Sequence, residues 1–196
     1  MVLFGTGKYL ELTDNSTTAT QTIYGIRDSG SGTLLASALE VRTMLDPLGK
    51  RTISGALMDW ATKKGWLLDL PASGERMTGV PKLESGKFFF NTLIPSTAPC
   101  ASGGTGWLMA VDSLTGAQPG LVVFDGNNDG IFNSADAGIG GLKIGAAIGG
   151  TTFIKPPQGS SVGLGIASLT DGTLATPPVD FGSLTGGRVN WREILQ

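Results

Sequence analysis

Lys87-Phe88-Phe89-Phe90-Asn91-Thr92-Leu93-Ile94, reached from Met77-Thr78-Gly79-Val80-Pro81-Lys82-Leu83 through the turn Glu84-Ser85-Gly86, decides the fold class. Two strand-forming runs separated by a glycine-bearing turn of this length read as an antiparallel hairpin. Three consecutive phenylalanines cannot alternate between core and water, so this strand is expected to be covered on both faces. A chain built around such a strand is all-β, with something packed against each side of one sheet.

Outward from the hairpin, further short apolar runs follow the same pattern. Gly106 to Asp112 and Leu121 to Phe124 read as a second hairpin around Leu114-Thr115-Gly116. Upstream, 2–10, 21–27, 51–56 and 65–70 read as strands, and 33–47 fits either a short helix or an irregular passage into a strand that Pro47 stops. Downstream, 151–155 and 161–169 read as strands, and Arg188 to Ile194 as the last one. Tyr24, Trp66 and Trp107 each begin an apolar strand that runs into a polar, glycine-bearing turn, at intervals of 42 and 41 residues. Four-stranded propeller blades recur at about 40–50 residues, so the expected architecture is a modified, partial β-propeller of about four blades rather than a sandwich.

Asp125-Gly126-Asn127-Asn128-Asp129-Gly130-Ile131-Phe132-Asn133-Ser134-Ala135-Asp136 carries the chemistry. Oxygen-bearing side chains stand at loop positions 1, 3, 5, 9 and 12 with a glycine at 6, the ligand order of an EF-hand-type calcium loop. Ca²⁺ takes about six to eight oxygens. The expected ligands are Asp125, Asn127, Asp129, the Ile131 carbonyl, Asn133 directly or through water, and Asp136; the Ile131 side chain and Phe132 are expected to point back into the fold. An Asx-rich turn is the alternative, since Asn-Asp-Gly is also turn chemistry. Gly138 to Gly145 is too rich in glycine for an exiting helix, so the loop is expected between strands.

Composition removes several classes of function. With 31 glycines, 10 prolines and 15% charged residues, the 196-residue chain is turn-rich. A formal charge of −2 gives no attraction to nucleic acid or anionic lipid. There is no histidine, which excludes Ser-His and Cys-His catalysis and histidine-ligated zinc or haem within this chain. Cys100 is the only cysteine, so no internal disulfide is possible, and the thiol is expected either buried or paired outside this segment. No run is long enough to span a bilayer, and Met1 to Lys8 does not read as an export signal. The chain opens almost directly into an apolar run, as a piece of a longer protein would.

Phe4-Gly5-Thr6-Gly7-Lys8-Tyr9-Leu10, Thr20 to Ile26, Thr92 to Cys100, Gly104-Thr105-Gly106-Trp107-Leu108, Val123-Phe124-Asp125 and Gly187 to Glu193 follow one another in an order that resembles the C-terminal end of the PilC/PilY proteins. These are type IV pilus tip-associated and biogenesis factors of Gram-negative bacteria. The resemblance covers nearly the whole chain and implies a modified β-propeller exported to the periplasm and outer surface. It implies support of pilus biogenesis, twitching motility and adhesion, with pilins or minor pilins and a host-surface receptor as partners. It also implies calcium at Asp125, Asn127, Asp129, Ile131, Asn133 and Asp136. The Arg-Gly-Asp motif of some members is missing: Arg27-Asp28 lacks the central glycine.

Two other functions compete with a non-enzymatic pilus module. A quinoprotein-like dehydrogenase shares the blade turns, but no convergent set of cofactor-holding groups is visible. A dockerin-like module shares the loop pattern, but dockerins carry two loops, each followed by a helix.

Overall fold

The computed structural model describes residues 1–182 apart from 29, 31, 48, 97, 99–102 and 158. Cys100, Trp191 and the strand expected at Arg188 to Ile194 therefore lie outside the described residues.

The chain is all-β. In order, the strands are β1 (Val2–Gly5), β2 (Thr22–Ile26), β3 (Glu40–Leu45), β4 (Lys50–Ser54), β5 (Gly65–Asp69), β6 (Arg76–Glu84), β7 (Lys87–Pro95), β8 (Gly104–Asp112), β9 (Gly141–Ile144), β10 (Ile148–Ile154), β11 (Val162–Leu169), β12 (Leu174–Ala175) and β13 (Pro178–Asp180). Nine form one sheet in the order β1-β2-β5-β3-β4-β9-β8-β7-β6, and the last four form a second around β11. Among these pairs β3 and β5 run parallel. The large sheet curls until its two edges approach, so that a Cβ placed on Gly5 of β1 would lie 2.7 Å from the Met77 Cβ of β6.

The hairpin at the centre of the sequence forms as expected. Ser85 and Gly86 occupy the turn between β6 and β7, both with positive φ (48° and 75°), as a two-residue hairpin loop requires. β7 then pairs along its whole length with β8, from Lys87 opposite Asp112 to Pro95 opposite Gly104. Its side chains alternate between two cores. Phe88 and Phe90 join Trp66, Trp107, Met109 and Val111 in the cluster enclosed by the large sheet. Phe89 turns the other way, with Leu108 and Ala110, into a cluster beneath the small sheet. There its ring centroid lies 4.6 Å from that of Phe153 and 6.0 Å from that of Phe181. A strand with three consecutive phenylalanines is thus stable only because each face has its own partner layer.

The enclosed cluster also contains charge. Arg51 is fully buried and grips Glu75 with two bonds, Nη1 to Oε1 at 2.5 Å and Nη2 to Oε2 at 2.7 Å. The guanidinium carbon lies 4.0 Å from the centroid of the Trp107 ring. On the opposite face of β7, beside the core beneath the small sheet, buried Lys87 donates to the Phe181 carbonyl at 2.7 Å. Burial pushes its ammonium below the usual lysine range, while Asp180 and Asp112 pull in the opposite direction.

Several expectations need correction. Strand 2–10 ends at Gly5. The ambiguous 33–47 segment resolves into a 3-10 turn, Ala36–Ala38, followed by β3. Leu121 to Phe124 do not pair with β8. Asp112 Oδ1 accepts from the Leu114 and Thr115 amides, which turns the chain away. Phe124 instead makes an isolated bridge to Val179. β9 takes the place beside β8, with Gly141 opposite Met109 and the Met109 side chain in the space a Cβ on Gly141 would fill. Tyr24 and Trp66 also fall on neighbouring strands of one sheet, since β2 pairs with β5. Their spacing therefore does not mark one strand per blade.

Candidate metal centre

The 125–136 loop lies on the connection between β8 and β9, neighbours in the large sheet. Val123 and Phe124 enter it from the apolar core beneath the small sheet, where both are fully buried. Ile139 leaves it into the same core, and the next residues become β9 of the large sheet. These anchors fix the loop ends. Within it, Asn128 and Gly130 take positive φ (58° and 81°), and the reversal at Gly130 is where a Cβ would be strained.

The carboxylates of Asp125, Asp129 and Asp136 converge, with one oxygen from each lying within 4.8 Å of the others. Two oxygens on one Ca²⁺, at 2.3–2.6 Å each, stand at most about 5.2 Å apart, so the three can share an ion of that size. Asp125 and Asp136 are buried and Asp129 is exposed, which leaves the group open to solvent on one side. Asp136 Oδ1 accepts from the Gly126 amide at 2.9 Å and the Asn127 amide at 3.3 Å, while Oδ2 accepts from Asn133 at 3.3 Å. Asp125 accepts from the Asp129 amide at 3.3 Å and from Gly130 at 2.8 Å. Backbone donors thus orient the buried carboxylates. Among the described residues, none of the ion pairs involves these three groups.

The other expected ligands are arranged around them. Asn127 Nδ2 donates to Asp129 Oδ2 at 2.8 Å, and its Oδ1 accepts from the Asp129 amide at 3.0 Å. Asn133 caps the short 3-10 turn Ser134–Asp136 through its Oδ1, which accepts from Ala135 at 2.7 Å. The Ile131 side chain, expected to point inward, is 61% exposed, because its amide is turned toward Asp129 Oδ1 at 2.7 Å.

Sequence reasoning missed the clamps outside the loop. The Asp180 amide donates to the Val123 carbonyl at 2.9 Å, and Gly140 donates to Arg51 at 2.6 Å. Neither has a local signal, since both join segments far apart in sequence.

No family model matches the chain. Over 220 residues covering 100% of its length, it is 30% identical to a type IV pilus biogenesis factor PilY1 homolog of Xylella fastidiosa. Over 99% of its length it is 27% identical to the type IV pilus biogenesis factor PilY1 of Pseudomonas aeruginosa. The chain is a homologue of PilY1. The crystal structure of the Pseudomonas aeruginosa PilY1 C-terminal domain covers 92% of the chain with a TM-score of 0.72 at 22% identity, a likeness of fold. The chain covers 41% of that structure, and 16% and 19% of the two PilY1 sequences. The Asp125, Asp129 and Asp136 triad thus belongs to a fold shared with PilY1. Among the described residues no helix is long and apolar enough to cross a membrane.

Proposed function

We propose that residues 1–196 form the C-terminal part of a PilY1-type domain, a non-enzymatic module of the type IV pilus machinery whose EF-hand-like loop binds calcium. The observation that carries this reading is the meeting of three carboxylates, two of them buried, none of which takes part in the ion pairs among the described residues. Buried like charges are costly unless paired or coordinated to a metal, and a hard cation suits an all-oxygen donor set. Asp125, Asn127, Asp129, Asn133, Asp136 and the Ile131 carbonyl would hold it. Bound calcium would supply charge and fixed coordination, and the backbone donors to Asp125 and Asp136 would keep those carboxylates in place.

Three runs of strands, β1-β2-β5-β3, β9-β8-β7-β6 and the small sheet, are read as blades of a modified propeller, against the about four expected from the repeat length. The reading places the chain in the periplasm or on the outer surface, with pilins or minor pilins as partners and with motility and surface or host adhesion as outputs. It rests on homology to proteins named as pilus biogenesis factors. A quinone cofactor is disfavoured because Trp66, Trp107, Phe88 and Phe90 fill the interior of the large sheet. A dockerin is disfavoured because the loop runs into β9 rather than a helix.

Calorimetric titration with calcium, paired with thermal melts in calcium and in chelator, tests the site. One binding event and a calcium-dependent rise in Tm are expected, both lost in Asp129→Ala. Absence of binding by the folded chain overturns the metal assignment.

A further inference from the structure

The small sheet is apolar on both sides. Its inner side packs Phe153, Ala167, Val179 and Phe181 onto the core shared with β7. Strand alternation then turns Ile154, Val162, Leu164, Ile166 and Pro178 outward. Three of these form one row across the sheet, because Ile154 stands opposite Leu164 and Leu164 opposite Pro178. Ile154, Leu164 and Val162 are 53%, 41% and 38% exposed, so among the described residues no layer covers the row. The strands β10 to β13 carry a single charged side chain, Asp180, which faces outward next to Val162. An antiparallel sheet with one wet face ordinarily presents polar side chains there. This outer side instead has the character of a covered one.

Residues 183–196 follow Gly182 and lie outside the described residues. They open with Ser183-Leu184-Thr185-Gly186-Gly187 and continue as Arg188-Val189-Asn190-Trp191-Arg192. Val189 and Trp191 alternate there with polar neighbours, the pattern of a segment that buries one side. The chain arrives from β13, whose Pro178 and Asp180 already belong to the outer side of the sheet. Asp180 Oδ1 accepts from the Gly182 amide at 2.7 Å and Gly182 has a φ of 77°, so the chain bends beside that outward carboxylate. Ser183 to Gly187 can span about 17 Å when extended, against about 10 Å between packed layers. The charges also match, since Arg188 and Arg192 flank the apolar pair and Asp180 borders the row.

We propose that residues 183–196 fold back over the outer side of the small sheet, seating Val189 and Trp191 on the Ile154–Leu164–Pro178 row with Arg188 beside Asp180. The C-terminal segment then gives the small sheet the second partner layer that β7 already has.

Hydroxyl-radical footprinting of the 196-residue chain tests this. Leu164 and Leu45 have the same intrinsic reactivity and are 41% and 56% exposed. Leu164 should nevertheless label severalfold more slowly than Leu45. Val189→Ser combined with Trp191→Ser should bring Leu164 close to the rate of Leu45, which stays unchanged, whereas Asn190→Ser should leave the protection intact. Amide exchange along the β7–β8 ladder checks that each variant is folded. A second measurement keeps Trp191 in place. In a Cys100→Ser background, Leu164→Cys with Val189→Cys should oxidise to a disulfide within one chain, which requires Cα atoms within about 7 Å. Leu45→Cys with Val189→Cys should not. Similar labelling of the two leucines in the unaltered chain overturns the proposal. So does protection that survives the double substitution, which gives the face to a different segment, or cross-linking only between chains, which gives it to a second copy.

Discussion

Two sets of buried carboxylates in this molecule are treated oppositely. Glu75 is fully buried inside the large sheet, where Arg51 meets both of its oxygens and Trp107 covers the guanidinium. Asp125 and Asp136 are equally withdrawn from water, yet their hydrogen-bond partners are backbone amides and they converge with a third carboxylate, Asp129. The first set is closed within the chain. The second is held by backbone dipoles, and among the described residues it enters no ion pair. The difference separates a structural ion pair from the carboxylate cluster proposed above to bind a cation, although simple burial would rank them alike.

The comparison can be broken first at Glu75. Glu75→Gln should lower unfolding free energy by about 3–5 kcal/mol, because the buried Arg51 loses its two-bond partner and keeps only Asp46, 4.0 Å from Nε. Urea denaturation should give the same loss in calcium and in chelator. Arg51→Met combined with Glu75→Leu should recover most of it, as replacement of a whole buried pair by apolar groups often does.

At the loop, the dependence should reverse. Chelation should reduce wild-type stability by about 2.7 kcal/mol relative to calcium at a hundred times the Kd. Asp129→Ala should gain nothing from calcium and should change little in chelator, because the bonds its carboxylate accepts from Ile131 and Asn127 are exposed to solvent. Thermal melts with and without chelator measure both.

Asp136→Ala sharpens the contrast further. It removes the acceptor of three backbone amides as well as a ligand, so a loss of about 1–3 kcal/mol should remain even in chelator. Comparing chelator melts of Asp136→Ala and Asp129→Ala separates the folding role from the metal role. The smallest effect is expected at Glu84, paired with Lys155 at 2.6 Å on the surface. Glu84→Gln should cost under about 1 kcal/mol and cost less still at high salt.

Local patterns in the sequence carried the hairpin, the two-faced β7 and the convergence of Asp125, Asp129 and Asp136. Each depends on residues near one another in the chain or on a strict spacing. The Arg51–Glu75 pair was invisible because two charges 24 residues apart say nothing of meeting in a core. The partner of β8 was misread for a related reason. Val123 and Phe124 have strand chemistry, but whether they pair with β8 or β13 is decided by the turn at Asp112 and by the space at Gly141. The aromatic spacing was real as a pattern, but Tyr24 and Trp66 meet side by side in one sheet.

The alternation along β7 has a consequence for how the chain finds its native pairing. Sliding β7 by one residue against β8 would send Phe89 toward the enclosed core and Phe88 and Phe90 toward the small sheet, so both layers would be mismatched at once. A strand with one wet face is penalised for such a slip on one side only. Here the penalty is doubled. Proofreading of the β-pairing is therefore written into Phe88-Phe89-Phe90 before either sheet is complete.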